Sequence, residues 1–383
     1  MHGDLLRDSE LHHSHGKRRG WLPVSLVALG ALTLVPATLA SATSTTNRTS
    51  IAAAKAAVVA AEAVPTYQGP KSGPKPQKGK KIFVIPCSSA NTGCVEIADS
   101  IVQSDNAVGW QTTVMTNTTG APSTISADMR TAITDGASGI DLDAITSSTV
   151  LAGMEAAKAA DVPVVDTDGD STVGTATTDV YATVSGQTVQ SGKDLANYFI
   201  VASNGQARVA VFHVATIVGT VHRYQGFMSV MKGCSTCTIV SNQSYGIVSQ
   251  ADFESLIKAT VAAHPTVDYI FLDISQYATM AADALQEMGL EHGIHVAGID
   301  CLPPEVLSIK NNTGEVACAE DALTESGWPT TNEFIRAFAG LPHINEAFPL
   351  RLLTKAIVAK GTPPYLNGFT LEPYYKKIWG LAS

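Results

Sequence analysis

Lys81-Ile-Phe-Val-Ile-Pro86 is a short apolar run rich in β-branched residues, with no polar residue alternating through it. Such a run suits a strand covered on both faces, as in a parallel sheet flanked by helices. The chain beyond it keeps the same rhythm. A helical pattern from about Cys94 to Val108 leads to a strand at Gln111 to Met115. A helix at Ile125 to Asp135 then leads to a strand at Gly139 to Leu142, and a helix at Thr149 to Ala160 to a strand at Val162 to Asp166. After a polar stretch the alternation resumes with a helix at Thr188 to Ala202, a strand at Arg208 to His213 and a helix at Val221 to Met231. Strands at Thr238 to Ser241, Tyr269 to Asp273 and His295 to Ile299 follow, with helices at Asp252 to Ala263 and Thr279 to Met288 between them. Strands alternating with helices predict parallel sheets with helices on both faces, and two such series predict two doubly wound α/β lobes.

Working outward toward the N-terminus, Pro65 to Lys80 carries repeated Pro, Gly and Lys and reads as an extended linker. The preceding Thr43 to Ala63 is rich in Ala, Ser and Thr, and Ile51 to Val64 fits a short helix with few bulky apolar residues to bury. Earlier still, Lys17-Arg18-Arg19 stands before an apolar stretch from Trp21 to Leu39 and the triplet Ala40-Ser41-Ala42. A basic flank, an apolar region and small residues are the parts of a secretory signal, so residues 1–42 are expected to be a signal peptide cleaved after Ala42. An uncleaved run of this length would instead tether the chain to a membrane.

Length and composition narrow the functional classes. With 383 residues, 45% of them hydrophobic, the chain can bury two cores. A net charge of -9 with both signs scattered argues against nucleic acid as a partner, because phosphate binding needs clustered Lys and Arg. Six cysteines in an exported chain meet an oxidising compartment. Fifteen pairings are open to them, and proximity in sequence favours Cys87 with Cys94, Cys234 with Cys237, and Cys301 with Cys318. A zinc site at Cys234-Ser-Thr-Cys237 would need a second ligand pair, which the sequence does not supply.

In an open parallel sheet the ligand crevice lies outside the carboxyl ends of the strands. Reading just past each predicted strand gives Ser88, Ser89 and Asn91, then Asp168 and Asp170, then Asp273 and Ser275, then Asp300. An Asp at such a position can also serve as a helix N-cap. Arg223, on a predicted helix, could equally form a surface ion pair.

From about Lys81 to the C-terminus the sequence resembles the type I periplasmic sugar-binding family, of the ribose-binding kind. Five stretches carry the resemblance: Ile82-Phe-Val-Ile-Pro-Cys-Ser-Ser with its following helix; Ala156-Ala-Lys-Ala-Ala-Asp-Val-Pro-Val-Val-Asp-Thr-Asp168; Arg223-Tyr-Gln-Gly226-Phe227; Ala263-His-Pro-Thr-Val-Asp-Tyr-Ile-Phe271; and Val296-Ala-Gly-Ile-Asp300. The resemblance implies two lobes joined by a three-segment hinge, with crossovers near Ser185 to Thr188, Glu320 to Thr324 and Tyr365 to Thr370. It thereby assigns residues 81–186 and 323–366 to the N-terminal lobe and 187–322 and 367–383 to the C-terminal lobe. By the same resemblance Asp168, Arg223 and Asp300 contact ligand, and Glu320 at the second crossover completes the expected set. Two departures stand out. Gly169 occupies a position where ribose-type receptors usually carry Arg, and Gly93 and Cys94 replace an aromatic pair.

The implied function is an extracytoplasmic receptor, expected to be a monomer, that captures a small polar ligand such as a sugar and delivers it to the membrane permease of an ABC importer. A receptor for a membrane signalling partner would share this chemistry. An exported sugar-acting enzyme is the remaining alternative, since strand-end carboxylates can act as an acid–base pair. No nucleophile elbow, phosphate-cradling glycine loop or His-Glu-x-x-His motif occurs, so no catalytic residue, metal or cofactor is expected.

Overall fold

The computed structural model describes residues 39–116, 119–174, 179–246, 248–359 and 370–381. The expected signal therefore lies outside the described residues up to position 38. Helix α1 (Leu39–Glu62) comes first. The first lobe then builds β1 (Lys81–Pro86), α2 (Thr92–Ala107), β2 (Gln111–Val114), α3 (Pro122–Thr134), β3 (Gly139–Asp143), α4 (Leu151–Ala159), β4 (Val164–Thr167) and β5 (Ala182–Val184). Its five strands are all parallel, in the order β2-β1-β3-β4-β5. Side-chain alternation along β1 feeds both faces. Ile82 and Val84 join a core with α2, whereas Phe83 and Ile85 join one with α3 and α4. Burying each such side chain contributes about 1.5–3 kcal/mol.

The second lobe contains α5 (Thr188–Ala202), β6 (Arg208–Val214), α6 (Val218–Met231), β7 (Thr238–Tyr245), α7 (Gln250–Ala263), β8 (Tyr269–Leu272), α8 (Ser275–Glu287), β9 (His295–Ile299), α9 (Pro303–Asn311) and β10 (Glu315–Asp321). The chain then returns to the first lobe as α10 (Gly327–Phe338), goes back to the second as β11 (Leu350–Thr354) and α11 (Lys355–Val358), and ends in α12 (Glu372–Ile378). The second sheet runs β11-β10-β9-β8-β6-β7, parallel except that β11 lies antiparallel to β10 at one edge.

Three described crossovers lie side by side. Ser185 N donates to Glu346 O at 3.1 Å, Phe348 N to Ser185 O at 3.2 Å, and Ala322 N to Pro349 O at 3.2 Å. The first runs through Ser185–Thr188 and the second lies next to Ala322. The third expected site, Tyr365 to Thr370, falls outside the described residues except for Thr370. A crossing occurs instead at 347–350, because Phe348 is buried in the first-lobe core while Leu350 packs on the second. The lobe boundaries change accordingly. Residues 350–358 belong to the second lobe, not the first, since β11 completes its sheet. The C-terminal segment belongs to the first lobe, not the second, since Tyr375 and Trp379 pack with Ile82, Val84 and Trp328.

The stretch 43–80, expected to be an Ala/Pro/Gly-rich linker with a short helix at 51–64, is also corrected. Ala54 and Val58, one helical turn apart, are buried against Phe199 and Leu352 in the second-lobe core, and Glu62 accepts from Thr354 Oγ1 at 2.6 Å. Five residues on, Tyr67 packs on the first lobe, where its hydroxyl meets Tyr375 and donates to Glu346 at 3.0 Å. The segment from there to Lys80 has no regular structure but is docked, with Trp110 Nε1 donating to Gln77 O and Tyr374 OH to Pro70 O. Residues 43–80 thus span the two lobes beside the hinge.

Candidate functional site

Where the strand ends of the two sheets face each other, the first lobe contributes Asn91 and Asp168. Asn91 caps α2, its Oδ1 accepting from Gly93 N at 2.9 Å and Cys94 N at 3.3 Å. Asp168 follows β4 with a φ of 62°, and its Oδ1 accepts from Gly186 N in the first crossover at 3.2 Å. Positive φ is uncommon outside glycine and best tolerated by Asp and Asn. The loop that holds Asp168 in this conformation is anchored by Asp166, which accepts from Gly169 N at 2.6 Å and Ser171 N at 2.8 Å. That anchoring explains the departure at Gly169. A Cβ there would stand 2.4 Å from Asp166 Oδ1 and 2.5 Å from Ile145 O, so no larger residue fits.

From the second lobe, α6 projects Arg223, buried with 4% of its surface exposed, into the same space. Its Nη2 lies 2.7 Å from Asp300 Oδ1, 3.1 Å from Asp321 Oδ2 and 3.6 Å from Asp168 Oδ2. Its Nη1 donates to Asp273 O at 2.9 Å. Asp300 ends β9 at a φ of 108°, outside the region open to ordinary residues, and backbone strain of this kind concentrates at functional sites. Its Oδ2 meets Ser275 N at the start of α8, while the cap of α9 falls at Leu302. Asp300 is therefore aimed at Arg223 and does not cap the helix that follows it.

Burial governs the titration of this cluster. Loss of solvation raises Asp168 well above the ordinary carboxyl range, and Arg223 offsets only part of it. The same balance raises Asp300 and pushes Asp321 to about 7. Burial opposes the charge of Arg223, but the carboxylates outweigh it and its pKa rises. One guanidinium thus faces three carboxyl groups contributed by both lobes. The space left between the lobes is about 40 Å³, lined by Cys87, Asn91, Asp168, Thr220, Arg223 and Asp300 among others. That is room for a few waters.

Other expected site residues do different work. Asp273 accepts from Val214 N at 2.6 Å and Tyr245 OH at 3.1 Å, joining β6, β7 and β8 behind the cleft, and only its carbonyl reaches Arg223. Ser275 Oγ accepts from Leu302 N at 3.0 Å and steadies the loop after β9. Ser88 Oγ accepts from Ala90 N at 3.2 Å, and neither Ser88 nor the half-buried Ser89 lines the cleft. Glu320 is corrected outright. Along β10, Ala317, Ala319 and Asp321 share one face, so Glu320 points to the other, where Arg351 of β11 is its opposing charge. The β10 carboxylate that reaches Arg223 is Asp321, a residue the sequence reading missed.

The three disulfides pair Cys87 with Cys94, Cys234 with Cys237 and Cys301 with Cys318. The first closes the loop that carries Asn91. The third ties the residue after Asp300 to the strand that ends in Asp321. At the cleft mouth, Asp170 Oδ2 meets His222 Nδ1 at 2.7 Å and accepts from Thr188 Oγ1 at 3.0 Å, and Thr92 Oγ1 donates to Gln276 Oε1 at 3.4 Å. These contacts also join the lobes.

A solute-binding protein of an ABC transporter from Agrobacterium vitis, bound with α-D-tagatopyranose, has this fold at 20% identity and a TM-score of 0.66, over 76% of the present chain and 99% of its own. One from Actinobacillus succinogenes 130z with bound D-allose matches at 14% identity and a TM-score of 0.67, over 74% and 100%. A chain of the XylFII–LytSN complex matches at 17% identity and a TM-score of 0.64, over 73% and 99%. No curated protein matches by sequence. The model of the periplasmic binding protein domain, however, matches residues 82–328, which take in the first sheet from Ile82, the second sheet except its edge strand β11, and every carboxylate around Arg223. With the fold, the cleft and this match in agreement, the chain belongs to the periplasmic binding protein domain family.

Proposed function

We propose that this protein is an extracytoplasmic receptor that captures a sugar between its lobes and hands it to the permease of an ABC importer. The observation that carries the reading is the Arg223 cluster. It joins a first-lobe carboxylate, Asp168, to the second-lobe Asp300, both on strained strand ends lining the cleft, with the buried Asp321 as a third partner of the guanidinium. Carboxylates accept from hydroxyl groups and a guanidinium donates to them, so the pair can satisfy both halves of a sugar hydroxyl. A space of about 40 Å³ admits a sugar only when the lobes part, so binding is coupled to closure about the crossovers. Hinge closure around a ligand is the established motion of periplasmic binding proteins as a class. Ligand shifts the open–closed balance by its differential affinity for the two forms.

Ligand bound only by the folded state raises the melting temperature. A thermal-shift panel of monosaccharides, polyols and amino acids tests the reading. A sugar is expected to give the largest rise, and an amino acid as the sole stabiliser would refute it. The family works outside the cytoplasm, and among the described residues no helix is long and apolar enough to cross a membrane. Export through the 1–42 signal and action as a monomer belong to the proposal, and N-terminal sequencing of the secreted chain tests the cleavage. A sensory role is the second reading, favoured by a structural neighbour solved in a complex with another protein.

A further inference from the structure

The lining of the cleft divides by chemistry. Its hydrogen-bonding capacity is concentrated at Arg223, Asp168 and Asp300, because Asn91 uses its side-chain oxygen to cap α2 and Thr220 donates its hydroxyl to the carbonyls of Val214 and Ile217. Every other residue of the lining is aliphatic, a cysteine or a glycine. Ile97 and Leu323 reach it from the first-lobe core, Ile217 and Ile274 from the second, and both halves of the Cys87–Cys94 bridge border it. Among the described residues no Phe, Tyr or Trp lines it. A Cβ added at Gly93 would stand 3.4 Å from Leu323 Cδ1 and 3.8 Å from Asp300 Oδ2, so an aliphatic carbon and a carboxylate oxygen flank one spot where the lobes meet.

Resting on the sugar reading above, we infer that the preferred ligand is a 6-deoxyhexose, whose ring hydroxyls meet Arg223, Asp168 and Asp300 while its methyl group lies among the aliphatic side chains of the two lobes. Such a wall encloses a compact apolar group and offers no flat ring on which the face of a sugar could stack. Burying a methyl group there in place of a hydrogen tightens binding about fourfold. A hydroxymethyl group at the same place would bury a hydroxyl against hydrocarbon with no partner, which is the costlier mismatch.

Calorimetric titration with matched sugars that differ only in the group on carbon 5 separates these cases. The sets are D-fucose, D-galactose and L-arabinose; L-fucose, L-galactose and D-arabinose; and L-rhamnose, L-mannose and L-lyxose, carrying a methyl, a hydroxymethyl and a hydrogen in turn. In at least one set the methyl sugar is expected to bind about tenfold tighter than the hydroxymethyl sugar and about fourfold tighter than the pentose. Ile274→Thr, and Ile217→Thr at a half-buried position, keep the branch at Cβ while placing a hydroxyl in the wall. In a chain that still melts as a folded protein, at least one of them should bring the methyl and hydroxymethyl sugars within about threefold of each other. Unchanged ratios in both folded variants overturn the inference. So does a hydroxymethyl sugar or pentose that binds as tightly as its methyl counterpart in every set, or a monosaccharide outside these sets that binds more tightly than any methyl sugar; each of these leaves the sugar reading intact. Silence from every sugar overturns both.

Discussion

Inside the first lobe, Asp105, Asp141 and Asp143 are wholly buried with hydroxyl partners or none, whereas the nearly buried Asp168, Asp300 and Asp321 surround a guanidinium. Thr331 and Thr112 donate to Asp105, Thr167 donates to Asp141, and the carboxyl oxygens of Asp143 have no hydrogen-bond partner among the described residues. Burial raises the pKa of all six, and only in the second group does a cation, Arg223, offset part of the rise. The second group is built on Arg223 and spans the two lobes. A buried acid is therefore a poor marker of a binding site by itself. What separates the cleft is the cation, the contribution from both lobes and the strained backbone at Asp168 and Asp300.

Removing the cation should have the largest effect. Arg223→Met leaves three buried carboxyl groups without their cation, and breaking a buried pair from one side costs about 3–5 kcal/mol. Urea unfolding at pH 8 is the measurement. An unchanged midpoint would place the two groups of acids on the same footing.

The interior group should show itself as a pH effect. Asp105 sits at about 7 in the folded chain against about 4 in the unfolded one. Its folded pKa is raised, so the stability it contributes is present below about pH 4 and is lost as pH climbs to about 7. Three units correspond to a span on the order of 4 kcal/mol. Asp105→Asn should flatten the decline of melting temperature over that window, with the gain over the parent absent near pH 4 and full above pH 7. A variant that keeps the parent's slope would contradict the assignment.

Next in size is the Cys87–Cys94 bridge, which closes a short loop and removes about 2–3 kcal/mol of unfolded-chain entropy. The double change to Ser should lower stability by that amount and weaken ligand binding, because Asn91 loses its anchored loop. Smaller still is Tyr67→Phe. It deletes one hydroxyl from the network with Glu346 and Tyr375 and should cost about 1 kcal/mol by denaturant titration.

How much of this was legible in the sequence depended on local pattern. Strand ends were readable because β1, β6, β8 and β9 are compact apolar runs and β3 and β4 carry short apolar stretches between helical patterns, and reading past them led to Asp168 and Asp300. Asp321 was hidden because β10, Glu-Val-Ala-Cys-Ala-Glu-Asp, is short of bulky apolar residues and polar at both ends. The alternation Ala317, Ala319, Asp321 was the available signal, and it would have chosen Asp321 over its neighbour Glu320. The antiparallel edge strand β11 escaped notice because no helical crossover announces it. The role of α1 was obscured by its small residues. Ala54 and Val58 carry little hydrophobic signal, yet their size lets the helix lie close on the second lobe. Asp273 and Ser275 were found at the right strand end, but their hydrogen bonds to the backbone of neighbouring strands and loops could be seen only in three dimensions.

The central claim is that a sugar is held jointly by both lobes at the Arg223 cluster. Calorimetric titration of Asp168→Ala from the first lobe and Asp300→Ala from the second, using the sugar that stabilises the parent most, tests it most directly. Each variant loses an acceptor worth about 1.5–3 kcal/mol in a charged hydrogen bond, so each should bind roughly ten- to a hundredfold more weakly while remaining folded. Parent-like affinity in both variants would place the ligand elsewhere and contradict the account.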